Sequence, residues 1–307
     1  MILVGGVMRV VILGGTGFIG RNLSIQLVSK GYQVVSLTRS SRPSKISGVR
    51  NVVWDGKSSS GWQEYADGAT AIVNLAGEGI ASGRWSESKK KSIESSRLLA
   101  GQAVCEAIAK ADKKPKVLIQ GSAIGYYGPR GAEPVDESSD QVPSFLSEVA
   151  RKWEESTLPV ENHAVRRCII RTAMVLGRGG ALSKMVPPFK FGLGSYLGDG
   201  HQGVSWIHID DEVRAIIFLI ENHTCKGVFN LSSINPVTSN KFNNTLARVI
   251  GKPVRIRVPG FIIKLMLGQM AEEVLLCGQF VLPEKLIAAG FHFNYLDIED
   301  ALMSLLN

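Results

Sequence analysis

No aspartate or glutamate precedes Asp55, although the whole chain carries 27 acidic residues against 35 lysines and arginines. Other residue types are scarce as well, and each scarcity removes a class of protein. The four cysteines, Cys105, Cys168, Cys225 and Cys277, are scattered, with no pair at metal-ligand or redox-motif spacing. A disulfide scaffold and a zinc module are therefore excluded as readings. Cys105 and Cys168 lie in apolar runs and read as small hydrophobes. The five histidines form no ligand cluster, so no metal is expected. Long hydrophobic runs are missing too. The stretch Phe261 to Leu267 is interrupted by Lys264 and is too short to cross a bilayer, so no membrane partner is expected. The apolar start, Met1 to Val7, lacks the charged leader and cleavage site of a signal peptide. It reads as a short extension ahead of the first strand, with Met8 a second candidate start, and a cytoplasmic location is expected. The net charge of +8 raises the question of nucleic acid. Its basic clusters are short and dispersed, without a helix-turn-helix, zinc or aromatic RNA-binding signature, so no nucleic-acid partner is expected.

What is present begins with Val10-Val11-Ile12-Leu13 running into Gly14-Gly15-Thr16-Gly17-Phe18-Ile19-Gly20. The apolar run reads as a buried parallel strand and the glycines as a tight turn opening a helix. Ile19, Leu23 and Leu27 recur at helical spacing, Gly31 ends the helix, and Gln33 to Thr38 reads as the next strand. Such a turn offers free backbone N–H groups at a helix N-terminus, where a dinucleotide pyrophosphate binds. Gly14, Thr16, Gly17, Phe18 and Ile19 are accordingly cofactor-binding candidates. The absent acid selects the dinucleotide. An NAD enzyme usually carries a carboxylate at the tip of the second strand, but here the tip reads Thr38-Arg39-Ser40 with Arg42 close behind. A guanidinium pairs with a 2′-phosphate that a carboxylate would repel, which predicts NADP. The alternative for Arg39 is an ordinary surface arginine.

Strands and helices keep alternating: a strand at 71–75, a helix at 86–110, a strand at 116–120 ending at Gly121-Ser122, a helix near 143–157, and a strand from Cys168 through Arg171. This alternation predicts a doubly wound parallel α/β sheet of Rossmann type. Residues Leu176 to Gly203 are rich in glycine and proline and read as a long functional loop. Trp206 to Ile209 reads as a short strand, with Asp210 or Asp211 capping the following helix. The predicted domains are an NADP-binding unit over 1–175, to which 204–232 returns, and a smaller C-terminal α/β substrate domain from 176–203 and 233–307.

Several residues fall at the carboxyl ends of predicted strands, where open α/β sheets bind ligands. Leu75, Ala76 and Gly77 would let a ribose and nicotinamide pass close to the backbone; a plain strand-to-loop turn is the alternative. Arg97 shares a helical face with Ile93, Ala100, Val104 and Ile108, and a lone charge on an apolar stripe needs a partner. A cofactor phosphate and a structural salt bridge fit equally. Ser122, followed by Tyr126 and Tyr127, could hold a substrate carbonyl or hydroxyl; buried aromatics lining the crevice are the alternative. Arg171 either faces the same crevice or pairs with an acid.

Together these stretches resemble the extended short-chain dehydrogenase/reductase family, in its atypical branch of sugar-nucleotide epimerases called cell-division-inhibitor-like. The matching residues include the glycine turn, Asn74-Leu75-Ala76-Gly77, Arg84-Trp85 with Ser96-Arg97, Ser122 to Gly128, Lys152-Trp153-Glu154, Trp206 to Asp211 and Val281-Leu282-Pro283. The resemblance implies NADP near Thr38, Arg39, Leu75, Ala76, Arg97 and Arg171, with a small C-terminal domain closing over a small-molecule substrate. It also implies a four-helix homodimer contact from the helices near Ser86 and Pro143, although packing on the sheet explains their pattern equally well. The chain departs from the family in one respect. The family's proton-transfer pair is a tyrosine four residues before a lysine, and aligning Glu154 puts Leu146 and Ala150 at those positions. The expected function is an NADP(H)-dependent oxidoreductase or epimerase-like activity with Ser122 and Tyr127 as replacement catalytic residues. The alternative is an NADP(H)-binding regulatory or scaffold protein without catalysis.

Overall fold

The structure is a computed structural model that describes residues 8–81 and 83–306, so the Met1–Val7 extension lies outside it. Seven strands form one sheet: β1 (Arg9–Leu13), β2 (Gln33–Thr38), β3 (Val49–Val53), β4 (Ala71–Asn74), β5 (Val117–Ala123), β6 (Arg166–Thr172) and β7 (Gly227–Leu231). Their order is β3-β2-β1-β4-β5-β6-β7, and every pairing is parallel. The chain leaves β1 toward β2 and β3, then returns to its other side as β4. The order therefore reverses between β1 and β4, and a crevice opens at their carboxyl ends.

Helices α1 (Phe18–Ser29) and α5 (Ile209–Glu221) cover one face, where Leu23, Leu27, Val213 and Ile216 pack on Val10 and Ile12. On the other face α2 (Glu87–Lys110) lays Ala100, Val104 and Ile108 on Val11, Leu13, Ile72 and Leu118. Burial on both faces explains why these strands read as continuous apolar runs rather than alternating ones. The oxygen of Ser86 accepts from the Lys89 N–H and caps α2. A reciprocal Ser144–Ser147 capping box starts α3 (Phe145–Glu155), which packs against α2 and β5.

Three details differ from the sequence reading. First, Leu176 to Gly203 is not a loop. Met174–Gly177 pairs with Gly179–Gly180 and with Trp206–His208, α4 spans Leu182–Lys190, and Ser195–Leu197 pairs with Ile256–Val258. Leu182, Val186 and Phe189 give α4 a buried face in a core shared with α6 (Ser239–Ile250) and the C-terminal helix α8 (Ile298–Leu306). That packing outweighs the two N–H donors lost at Pro187 and Pro188. Second, β5 runs on to Ala123, so Ser122 lies within the strand. Third, His208 rather than an aspartate caps α5, its Nδ1 accepting from the Asp210 N–H at 3.1 Å. Asp211 instead accepts from the backbone N–H groups of Asn294 and Tyr295 and from Arg214.

Candidate functional site

The turn after β1 has the geometry a phosphate cradle needs. Gly14 adopts φ +82°, a conformation L side chains rarely take, and the Gly17 N–H donates to the Gly14 carbonyl at 2.9 Å. A Cβ on Gly14 would stand 2.8 Å from the Leu75 carbonyl oxygen, so the ends of β1 and β4 meet here. A Cβ on Gly20 would stand 2.4 Å from the Gly14 oxygen, so its absence lets α1 close onto the turn. No side chain caps α1. Its first N–H groups, beginning at Phe18 and Ile19, remain available for an anion.

Beside this turn, at the tip of β2, lies a cavity of about 190 Å³ lined by Thr16, Arg21, Ser36, Ser40, Arg42 and Lys45, among others. Its lining residues include three cations and no acid. The Ser36 hydroxyl, on a side chain buried in the cavity wall, has no hydrogen-bond partner among the described residues. A buried hydroxyl without a partner is costly, and a bound group would relieve that cost. The Thr38 hydroxyl accepts from the Ser40 N–H, which shapes the tip. Arg39 lies outside this cavity, and its charge helps to lower the Glu78 carboxyl pKa, after the larger effect of Lys89. Lys45, which no motif in the sequence singled out, lines the cavity with Arg42.

Across the switch point, Leu75 and Ala76 continue from β4. The Leu75 N–H donates to the Leu13 carbonyl, and the Asn74 side chain accepts from the Ala76 N–H while donating to Gln120. Arg97 is held against this segment. Its guanidinium donates to the Glu78 and Ile93 carbonyls at 3.1 and 2.8 Å and lies over the Trp153 ring. A Cβ on Gly77 would stand 3.1 Å from the Arg97 Cζ, so glycine there admits the cation. Burial pushes the Arg97 pKa down to about 10, with the Glu78 charge opposing. Glu78 itself pairs with Lys89, so Arg97 has carbonyl partners but no ion pair with a carboxylate among the described residues.

The residues at the ends of β5 and β6 are tied to one another and to α3. Arg171 is buried and makes a two-pronged pair with Glu154, Nε to Oε1 at 2.8 Å and an Nη to Oε2 at 3.0 Å. Burial works against its charge, but the Glu154 carboxylate outweighs that effect and raises its pKa. This is the acid-pairing alternative for Arg171. The Ser122 hydroxyl donates to the same carboxylate at 2.6 Å. Its proton is engaged by Glu154 in this structure. Tyr127 is fully buried, and its hydroxyl donates to Asn230 Oδ1 at 2.7 Å, with burial pushing its pKa up to about 12. It cannot meet a substrate without unpacking. Tyr126 is half-buried instead, with the Arg171 guanidinium 3.3 Å from its ring centre.

Leu146 and Ala150 lie on α3, on the β5 side of the molecule. Leu146 joins a cluster with Trp85, Phe145, Met270 and Leu275, and the Glu273 carboxylate accepts the Phe145 and Leu146 N–H groups. A larger cavity of about 640 Å³ lies on the other side of Thr16 and Arg21, where Arg178, His208 and Tyr295 contribute to its wall. His208 stacks on Tyr295, and burial lowers its pKa.

Comparison with known proteins places this arrangement. A family described as NAD dependent epimerase/dehydratase matches residues 10–232, and a domain of unknown function, DUF1731, matches residues 258–305. The epimerase family protein YfhF of Bacillus subtilis is 37% identical over 300 residues, covering 97% of this chain and 98% of that protein. The chloroplastic SDR39U1 homolog of Arabidopsis thaliana is 39% identical over 307 residues, covering 97% of this chain and 87% of that protein. The crystal structure of human epimerase family protein SDR39U1 (isoform 2) with NADPH superposes with a TM-score of 0.87 at 33% identity, covering 97% of this chain and 99% of that one. UDP-glucose 4-epimerase from Thermus thermophilus, TM-score 0.77 at 19% identity over 97% of this chain and 98% of that one, shares the fold. These names support the extended epimerase family and not the cell-division-inhibitor label given with the resemblance.

Proposed function

Because the chain belongs to the NAD dependent epimerase/dehydratase family, we propose that it is an NADP(H)-dependent oxidoreductase or epimerase-like enzyme acting on a small polar substrate, with nucleotide sugars the first class to test. The observation that carries the cofactor reading is the acid-free cavity at the tip of β2, with Arg42, Lys45 and the unpartnered Ser36 hydroxyl in its wall. In this reading the N–H groups at the start of α1 hold the pyrophosphate and the β2 cavity holds the 2′-phosphate. Leu75 to Gly77 line the path toward the nicotinamide, and Arg97, held against Gly77, supplies a positive charge there. The human relative crystallised with NADPH supports the same choice. When bound, the nicotinamide supplies hydride transfer, and the protein's part is to position it and to manage a proton. Beside the hydrogen-bonded Ser122 and Tyr127, the half-buried Tyr126 is the phenol we assign to that proton, and Arg171 holds its ring in place through the Glu154 pair.

The second reading is an NADP(H)-binding protein without turnover. It rests on Leu146, which stands in the family's tyrosine position within an apolar cluster where no proton can be exchanged. Fluorescence titration with NADPH and NADH tests the cofactor; equal affinity for the two would overturn the 2′-phosphate assignment. NADPH deuterated at the transferable position separates the two readings. Label appearing in a nucleotide sugar or other small molecule supports catalysis and its loss in Tyr126→Phe assigns the proton donor, whereas label remaining on the cofactor supports the second reading.

A further inference from the structure

Seven of the fourteen exposed large apolar side chains among the described residues fall in two short segments. Phe191 and Leu193 follow α4 and are 81% and 60% exposed. Ile256 lies on the strand 256–258, which pairs with the strand 195–197 and ties the two segments side by side. Phe261, Ile262, Leu265 and Met266 lie on α7 (Gly260–Leu267) and form two pairs spaced four residues apart, with Phe261 71% and Leu265 75% exposed. Only Ile263 of that helix is buried. Scattered single apolar residues need no explanation, but a concentration like this one does.

Charge distinguishes the occupants. Residues 184–198 and 252–268 contain six lysines and arginines and no aspartate or glutamate. All six cations are exposed. Three are tied locally: Lys184 donates to the Ala81 carbonyl, Arg257 donates to the Gly198 and Asp199 carbonyls, and Lys264 pairs with Glu272. Lys190, Lys252 and Arg255 form no ion pair among the described residues. A second copy seated on the same surface would bring like charges together. Protruding apolar side chains interleaved with cations match an anionic lipid surface, which is fluid and needs no complementary groove.

We propose that α7, with Phe191, Leu193 and the adjoining basic segments, docks the protein on anionic membrane surfaces. The same stretch that is too short to cross a bilayer is long enough to lie in its interface. Arg84 donates to the Leu265 carbonyl and Lys184 to Ala81, so both segments attach to the loop that follows β4. Docking would set the cofactor-crevice side of the molecule toward the lipid.

The test is flotation of the full chain with phosphatidylcholine vesicles and with vesicles that also contain phosphatidylglycerol. Binding to the anionic vesicles alone, reversed by salt, is expected. Phe261→Ser/Leu265→Ser and Lys190→Glu/Arg255→Glu should each weaken it by at least about tenfold with the thermal transition unchanged. No binding to anionic vesicles at low salt would overturn the proposal, as would unchanged binding by both variants. Light scattering that shows a dimer dissolved by the Phe261→Ser/Leu265→Ser variant would assign the surface to a second copy instead.

Discussion

Arg171 and Arg97 show how a charge near a sheet end can take opposite routes. Both lie where a sequence reading expects a ligand, but Glu154 on α3 reaches Arg171 and, among the described residues, no carboxylate side chain pairs with Arg97. Glu154→Ala would leave Arg171 buried and unpaired, and the loss in unfolding free energy should be about 3–5 kcal/mol by urea titration. At the β2 tip, Arg42→Ala with Lys45→Ala should weaken NADPH about 10- to 100-fold, from the loss of charge-assisted hydrogen bonds, and leave NADH unchanged in the same fluorescence titration. Glu212 makes a pH prediction. It is fully buried, Thr172 donates to one of its oxygens, and burial raises its pKa to about 8. The unfolded carboxyl releases its proton near pH 4 and the folded one near 8. The folded state therefore holds the extra proton between these values, and stability falls as pH rises through that window. Thermal unfolding followed from pH 5 to pH 8 should show this decline, and Glu212→Gln should flatten it. None of these commitments could be read from spacing, because each depends on which residue from a distant element arrives opposite.

At the scale of elements, the strand–turn–helix after Val10 was legible because local rules suffice. An apolar run, a glycine with positive φ and a helical apolar stripe specify it without distant help. Gly20→Ala tests that unit. Its Cβ would lie 2.4 Å from the Gly14 oxygen, so α1 must move away from the turn. The variant should lose about 1–3 kcal/mol of stability and most of its NADPH affinity, measured by denaturant titration and cofactor fluorescence. The helix α4 was missed for the converse reason. Its prolines and flanking glycines argue against a helix, and only the shared core with α6 and α8 makes one stable. The His208 cap was missed because cap statistics favour aspartate, whereas Asp211 was needed to hold Asn294 and Tyr295 from the C-terminal segment.

Across the whole molecule, the crevice depends on the order of strands, with β7 arriving late in the chain to pair with β6. A cofactor bound across that crevice should stabilise the fold by mass action. NADPH at about 100 times its dissociation constant adds about 2.7 kcal/mol. That should raise the unfolding midpoint by roughly 4 °C, against little change with NADH at the same concentration, as differential scanning fluorimetry would read. Periodicity and glycine placement were enough to specify a doubly wound sheet and the glycine turn after its first strand, and the absence of acid before Asp55 was enough to propose a 2′-phosphate. These features are written in local patterns along the chain, even though the strands they specify pair across about 60 residues. The partners of Ser122, Tyr127 and Arg171, the apolar filling around Leu146 and the exposed face of α7 rest on which side chains of other elements arrive opposite, which no local pattern encodes. Only the packed molecule decides which of those contacts form.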